Sequence, residues 1–386
     1  PPPPPTHMSC RRQRQMCIRD RYPQDSEFTL MRADLAVMNR QYEEAISAFE
    51  QAITLGPENL MTLNTRRAHL GVLRLAIMRK DSSRVQKSRE AFVSSKIDDP
   101  EVNYFLALAA FEEKNMAEAE VYLQKVLLVS SSHGPTLLLS GLVSYATQNF
   151  ERAAYYSSKY IANHPENSKA RTLLGRSYLA LGQYEDARTE FNAVLKENPG
   201  DAELIALAGL SEMRSGEVES GIAGLEKALQ IVPESAPLKL ELAKAYIADG
   251  QTDEGIRLLD EMLQTDGNKD QIRTLKVLAN LRSNDMELAM NTARKMLVKS
   301  ANRADVLSLM GSIQLSARDT AVARNYFNQA LEVDGDHLGA KLSLARLDEQ
   351  QGDTAAAKER YLSIIEKEPE NITAMASLAQ LAAHQG

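Results

Sequence analysis

Tryptophan is absent from the 386-residue chain, and its two cysteines, Cys10 and Cys17, both fall at the extreme start. From residue 18 onward there is no thiol, which excludes cysteine nucleophiles, zinc–thiolate sites and disulfide frameworks from nearly the whole sequence. Aromatic residues make up only 5% of the chain. No apolar run approaches the roughly 18 residues of a membrane-spanning helix; Thr136–Leu142 is among the greasiest stretches. Positive charge is also short, with 45 Lys and Arg against 52 Asp and Glu, a formal charge of -7 and an isoelectric point near 5.6. That balance argues against a general nucleic-acid binder, whose affinity rests on cationic contacts to phosphate. Hydrophobic residues nevertheless reach 44%, enough for a packed core, so wholesale disorder is excluded too.

Catalytic motifs are equally scarce. The chain contains no HExxH, GxSxG, GxxxxGK[ST] or GxGxxG. Beyond the first segment the histidines are His69, His133, His164, His337 and His384, too dispersed to suggest a metal site. Asp334-Gly335-Asp336-His337 lacks the twelve-residue spacing and closing Glu of a calcium loop, and reads as a turn. Acid pairs such as Glu43-Glu44, Glu112-Glu113 and Asp253-Glu254 fall where helices should face solvent, without a sign of the desolvation that acid–base catalysis needs. No catalytic residue, metal or cofactor is expected.

Residues 1–22, PPPPPTHMSCRRQRQMCIRDRY, share nothing with the rest of the chain. Five prolines could form a polyproline spacer and the arginines a basic arm. However, Arg11–Arg21 resembles the in-frame translation of a transposase sequencing adapter, so this segment is expected to be a disordered artefact outside the fold. It carries five Arg and one Asp, which leaves residues 23–386 with a formal charge of -11.

What is present in abundance is repetition. Starts at 100, 134, 168, 202, 236, 270, 304, 338 and 372 hold one 34-residue register without a gap. A further unit fits 26–59, and 60–99 forms an irregular unit six residues longer, giving about eleven units over 26–386 with the last one truncated. The eighth position is Ala or Gly in every regular unit except at Val277, and the twentieth is always Ala or Gly, from Ala45 to Ala357. Small residues recurring one helix apart let two antiparallel helices approach closely, and Pro57, Pro165, Pro199, Pro233 and Pro369 then stop the second helix. Within 168–201 the first helix should bury Leu173, Leu174, Tyr178 and Leu181, and the second Ala187, Phe191, Val194 and Leu195. Helix boundaries around Arg66–Ser83, in the irregular unit, are left open by this pattern.

Leu174, Gly175, Tyr178, Gly182, Tyr184, Ala187, Phe191 and Pro199 occupy the positions of a tetratricopeptide (TPR) repeat, and the chain resembles that family over 26–386. The Trp of the family's fourth position is never present. The resemblance implies an all-α fold, a right-handed superhelical solenoid of antiparallel helix pairs. It also implies a concave groove lined by positions 2, 5, 9, 12 and 13 of the first helices. Carried over, these positions mark an apolar section at Tyr104, Leu108, Phe111, Leu138, Leu142 and Tyr145, then a line of cations at Arg176, Arg214, Lys244, Arg282 and Arg346. Two readings stay open for the cations: a track for an anionic partner segment, or surface pairing with acids such as Glu203 and Glu241. Tyr145 and Phe111 likewise read as either groove or inter-repeat packing. The Lys and Asn pattern of chaperone-binding carboxylate clamps is not visible.

A finer likeness lies in 133–174. His133-Gly134-Pro135, Leu137-Leu138-Leu139, Gly141, Tyr145, Asn149-Phe150-Glu151, Ala153-Ala154, Tyr160, Pro165 and Ala170-Arg171 resemble the TPR-repeat lipoproteins of the PEP-CTERM/exosortase system. That resemblance implies a non-enzymatic scaffold binding protein or peptide segments in envelope protein sorting or exopolysaccharide assembly and export. It further implies a periplasmic location and a lipid anchor on an N-terminal signal missing from this sequence. The alternatives are a cytoplasmic TPR adaptor or chaperone cofactor, or the TPR part of an enzyme whose catalytic domain lies elsewhere.

Overall fold

The computed structural model describes residues 25–57, 60–265, 269–298 and 303–385; residues 1–22, with their expected lack of a role, lie outside these. Helices account for 80% of the described residues, which contain 21 helices and no strand. Among the described residues the fold is all-α, successive antiparallel helix pairs stacked within each compact unit, as the repeat register predicts. Two compact units divide at residue 197/198.

In the first unit the helices pair as Ser26–Met38 with Tyr42–Thr54, Leu63–Arg79 with Ser82–Ser94, Pro100–Glu112 with Met116–Val129, Gly134–Ala146 with Phe150–Ile161, and Ser168–Ala180 with Tyr184–Leu195. In the second the pairs are Ala202–Ser215 with Val218–Ile231, Ala236–Asp249 with Thr252–Thr265, Lys269–Arg282 with Met286–Leu297, Arg303–Ser316 with Thr320–Val333, and Leu338–Gln350 with Thr354–Lys367, followed by Ile372–Gln385. The 40-residue unit opens with a first helix of 17 residues, Leu63–Arg79, against 13 in Pro100–Glu112 and Gly134–Ala146, and its second helix begins at Ser82.

Each unit's core is a chain of small clusters rather than one centre. Ala107, Ala119, Leu123, Leu139 and Val143 form one such cluster, and Ala323, Phe327, Ala340, Leu344 and Leu347 another, each drawn from consecutive helix pairs. Burial falls on the small-residue register: Ala33, Ala45, Ala107, Ala119, Ala187, Ala243, Ala289, Ala323, Ala345 and Ala357 are fully buried. A methyl or a hydrogen there lets a neighbouring helix or ring rest on the backbone. At Gly175 an added Cβ would stand 2.7 Å from the Phe191 ring.

The turn inside each pair repeats as well. Arg40, Lys114, Gln148, Gly182, Gly216, Gly250, Asn284, Arg318 and Gly352 have positive φ, and all but the first stand 34 residues apart in turn. This left-handed residue reverses the chain, and the next position often caps the second helix: Asn115, Asn149, Asp285, Asp319 and Asp353 each accept a hydrogen bond from a first-turn backbone N–H. First helices are capped in the same way by Asp99, Asn167, Asp201 and Ser235.

Candidate functional site

A chain of stacked helix pairs offers its surface, so the placement of the eleven residues singled out above decides what they can do. Tyr104, Leu108 and Phe111 are half-buried against the cluster of Ala107, Ala110, Ala119, Leu123, Leu139 and Val143. The Tyr104 ring meets Phe105 and His133 edge-on at 5.3 and 5.6 Å, and burial raises its pKa. Leu138 packs on Ala154, Ile161, Ala170 and Leu174. Tyr145 is half-buried with its ring edge-on to Phe150 at 5.4 Å. Leu142 alone of the six is exposed, at 38%. Five of the six are thus half-buried against neighbouring helices, each keeping part of its surface, and Leu142 faces solvent.

The cations divide between the two units. Arg176, in the first, is half-buried. In the second, Lys244 Nζ donates to Glu241 Oε1 at 2.7 Å on its own helix, the pairing that the composition allowed. Arg282 donates to the Ala248 carbonyl at 3.0 Å, near the end of the helix Ala236–Asp249, where a cation complements the helix dipole. Arg214 and Arg346 are exposed and form no ion pair among the described residues.

Of the junction histidines, His337 caps its helix through its side chain, whereas His133 makes no side-chain cap bond and His164 stacks on Tyr160 at 4.6 Å. His337 accepts at Nδ1 from the Ala340 N–H at 3.0 Å while its Nε2 meets Asp305 at 2.8 Å. His133 Nδ1 lies 2.6 Å from the Thr136 hydroxyl. Among the described residues no group of three or more His, Cys, Asp or Glu could hold a metal ion, and no helix is long and apolar enough to cross a membrane.

Sequence reasoning missed two features. Asp348 is 4% exposed, and its carboxylate accepts from Arg324 at 2.6 Å and Arg360 at 2.8 Å, tying three successive helices. Its signal was faint, because an Asp in the last turn of an amphipathic helix reads as surface. The second is a hollow of about 520 Å³ lined by Glu151, Ala154, Tyr155, Ser158, Lys159, Ala162, Tyr178, Leu181 and Gln183. Its signal was legible: Glu151, Tyr155 and Lys159 follow one another at four-residue spacing on one helix face.

Known proteins share this architecture. Models described as tetratricopeptide repeat match residues 144–210, 212–281 and 314–383, and further models of the same description match 18–59 and 100–133. No curated protein matches the chain. A tetratricopeptide repeat protein from Parabacteroides merdae aligns at 18% identity and TM-score 0.51, over 61% of this chain and 93% of that one. MamA from Desulfovibrio magneticus aligns at 19% identity and TM-score 0.40, over 44% and 97%. PilF of Pseudomonas aeruginosa aligns at 16% and 0.42, over 53% and 95%. The repeat models together cover more than half of the sequence, in the register set by its buried small residues, and the chain belongs to the tetratricopeptide repeat family.

Proposed function

We propose that this protein is a non-catalytic scaffold that holds protein or peptide segments, and that it serves envelope protein sorting or exopolysaccharide assembly in a bacterium. Tetratricopeptide repeats indicate a protein–protein interaction scaffold. The observation that carries the first part is the succession of helix pairs, whose interior positions are committed to packing, so that chemistry is left to the outward faces. On the first-helix faces the residues proposed to meet a partner are Tyr104, Leu108, Phe111, Leu138, Leu142, Tyr145, Arg176, Arg214, Lys244, Arg282 and Arg346. Leu142, Arg214 and Arg346 are the most available of these.

The envelope part is supported by the likeness of 133–174 to the PEP-CTERM-system lipoproteins, and it brings with it a periplasmic, membrane-associated location. Deleting the gene in its own bacterium tests it. Loss of surface polysaccharide, or retention of sorted proteins in the envelope fraction, is the expected result. Unchanged export together with a cytoplasmic gene product would remove the envelope role and leave the scaffold.

A further inference from the structure

The hollow beside the helix Phe150–Ile161 has the construction of a trough. Glu151, Tyr155 and Lys159 stand along one wall at i, i+4 and i+8. Ala154, Ser158 and Ala162 form the adjacent row, small enough to make a floor. Tyr178, Leu181 and Gln183 close the other side. Tyr155 is 59% exposed, with its ring edge-on to Tyr156 at 5.2 Å and the Lys159 ammonium 5.9 Å from its centre. Burial, with the nearby carboxylates of Asp186 and Glu190, raises the pKa of Tyr178 and keeps its hydroxyl a neutral hydrogen-bonding group.

Among the described residues Glu151 and Lys159 form no ion pair, and Ser158, Tyr178 and Gln183 form no side-chain hydrogen bond. Neighbouring charges in the same unit do pair, as in Arg152 with Glu120 and Arg171 with Glu190. The charge–aromatic–charge triplet is also peculiar to this pair. The same three positions are Ala117, Val121 and Lys125 one pair earlier and Glu185, Thr189 and Ala193 one pair later. Glu219, Ala223 and Lys227, like Glu287, Asn291 and Lys295, keep both charges without the aromatic.

Spacing identifies the occupant. Four residues of helix advance about 6 Å, so the two charges stand about 12 Å apart with the ring midway. Two residues of extended chain advance about 6.6 Å, and side chains two apart point the same way. We propose that the trough binds an extended peptide segment with a basic, an apolar and an acidic residue at alternate positions. The basic side chain meets Glu151, the apolar one lies between Tyr155 and Tyr178, and the acidic one meets Lys159. Ser158 and Gln183 are left to serve the peptide's backbone groups. The proposal deepens the scaffold reading at residues separate from the eleven named there, so the trough can bind even if all eleven fail.

Three dye-labelled peptides test it by fluorescence polarisation on the whole chain: Arg-Ser-Phe-Ser-Asp, Arg-Ser-Phe-Ser-Arg and Asp-Ser-Phe-Ser-Asp. The first should bind about fivefold tighter than either of the others, the scale of one exposed ion pair exchanged for a like-charge contact. Glu151→Lys should move the preference to the doubly acidic peptide, and Lys159→Glu to the doubly basic one. Gains in opposite directions cannot come from loss of folding. Equal binding of the three peptides by the natural chain, or a preference indifferent to both substitutions, would overturn the proposal.

Discussion

Replacing Gly221 by alanine is the sharpest test of how the second unit is packed. Gly221 lies on the helix Val218–Ile231 where it crosses Ala202–Ser215, and three glycines, Gly209, Gly221 and Gly224, line that crossing. A Cβ on Gly221 would meet the Gly209 carbonyl oxygen and the Met213 Cγ and would stand 2.8 Å from the Met213 backbone nitrogen. The Met213 side chain can swing away, but the two backbone atoms cannot move without separating the helices. Alanine in a helix gains about 1 kcal/mol over glycine, whereas forcing an extra carbon into a tight contact costs about 1–3 kcal/mol. With backbone as the obstacle the upper end applies, for a net loss of about 2 kcal/mol. Amide hydrogen exchange should show faster local opening of 202–231, because a repeat array transmits damage mainly to nearest neighbours. Gly200→Ala is the control, since an added Cβ there meets nothing within 4 Å. A Gly221→Ala protein at least as protected as the natural one would refute the close-crossing argument.

Three further outcomes are expected. Gly216→Ala, at φ 102, should lower the urea midpoint by an amount equivalent to about 1–2 kcal/mol, while Lys114→Gly, at φ 61, should raise it by somewhat less. Asp348→Ala should cost about 3 kcal/mol in chemical denaturation, because it leaves Arg324 and Arg360 facing each other without the carboxylate between them. His69 is buried with its ring edge-on to Phe92 at 5.9 Å, and its pKa is lowered from 6.5, first by burial and then by the Lys87 charge. The unfolded chain therefore binds the proton more readily, and this residue's share of stability, full above about pH 6.5, is lost progressively below it. Thermal midpoints at pH 7.5 and 5 should differ by less in His69→Gln than in the natural chain, and an equal difference would show that His69 is not responsible.

How far these properties could be read from residues alone varies with the physics behind them. The helix pairs were legible because close approach of two helices demands a small residue at a fixed place, and Ala107 with Ala119, or Ala345 with Ala357, repeats that demand in every pair. The left-handed turn was only half legible. Gly182, Gly216, Gly250 and Asn284 announce it, but Lys114, Gln148 and Arg318 adopt the same φ with side chains that carry no such preference. There the packing of the two flanking helices outweighs a local penalty of about 1–2 kcal/mol. The candidate groove was the least legible. Tyr104 and Leu142, at the fifth and ninth positions of successive first helices, both read as groove, yet one is half-buried against His133 and Phe105 while the other faces solvent. A single repeat cannot tell these apart, because the enclosure of Tyr104 is supplied in part by a residue 29 positions further on.

Recognition within such a fold is located by the same physics. Positions 8 and 20 of each unit serve close approach, and their chemistry is nearly constant from Ala33 to Ala357. Residues so committed cannot distinguish one partner from another, since every pair presents the same ones. Selectivity has to reside where pairs differ while the backbone does not. The second-helix positions of Glu151, Tyr155 and Lys159 meet both conditions: they sit on a helix as regular as its neighbours, beside a buried row of Ala153 and Ser157, and carry a triplet found in no other pair. Arg214 and Arg346 meet them less well, because an isolated exposed cation contributes little and is screened within about 10 Å at ordinary salt. Spaced groups on one rigid helix face, an acid, a ring and a base in line, act together and bring their own geometry to whatever they hold.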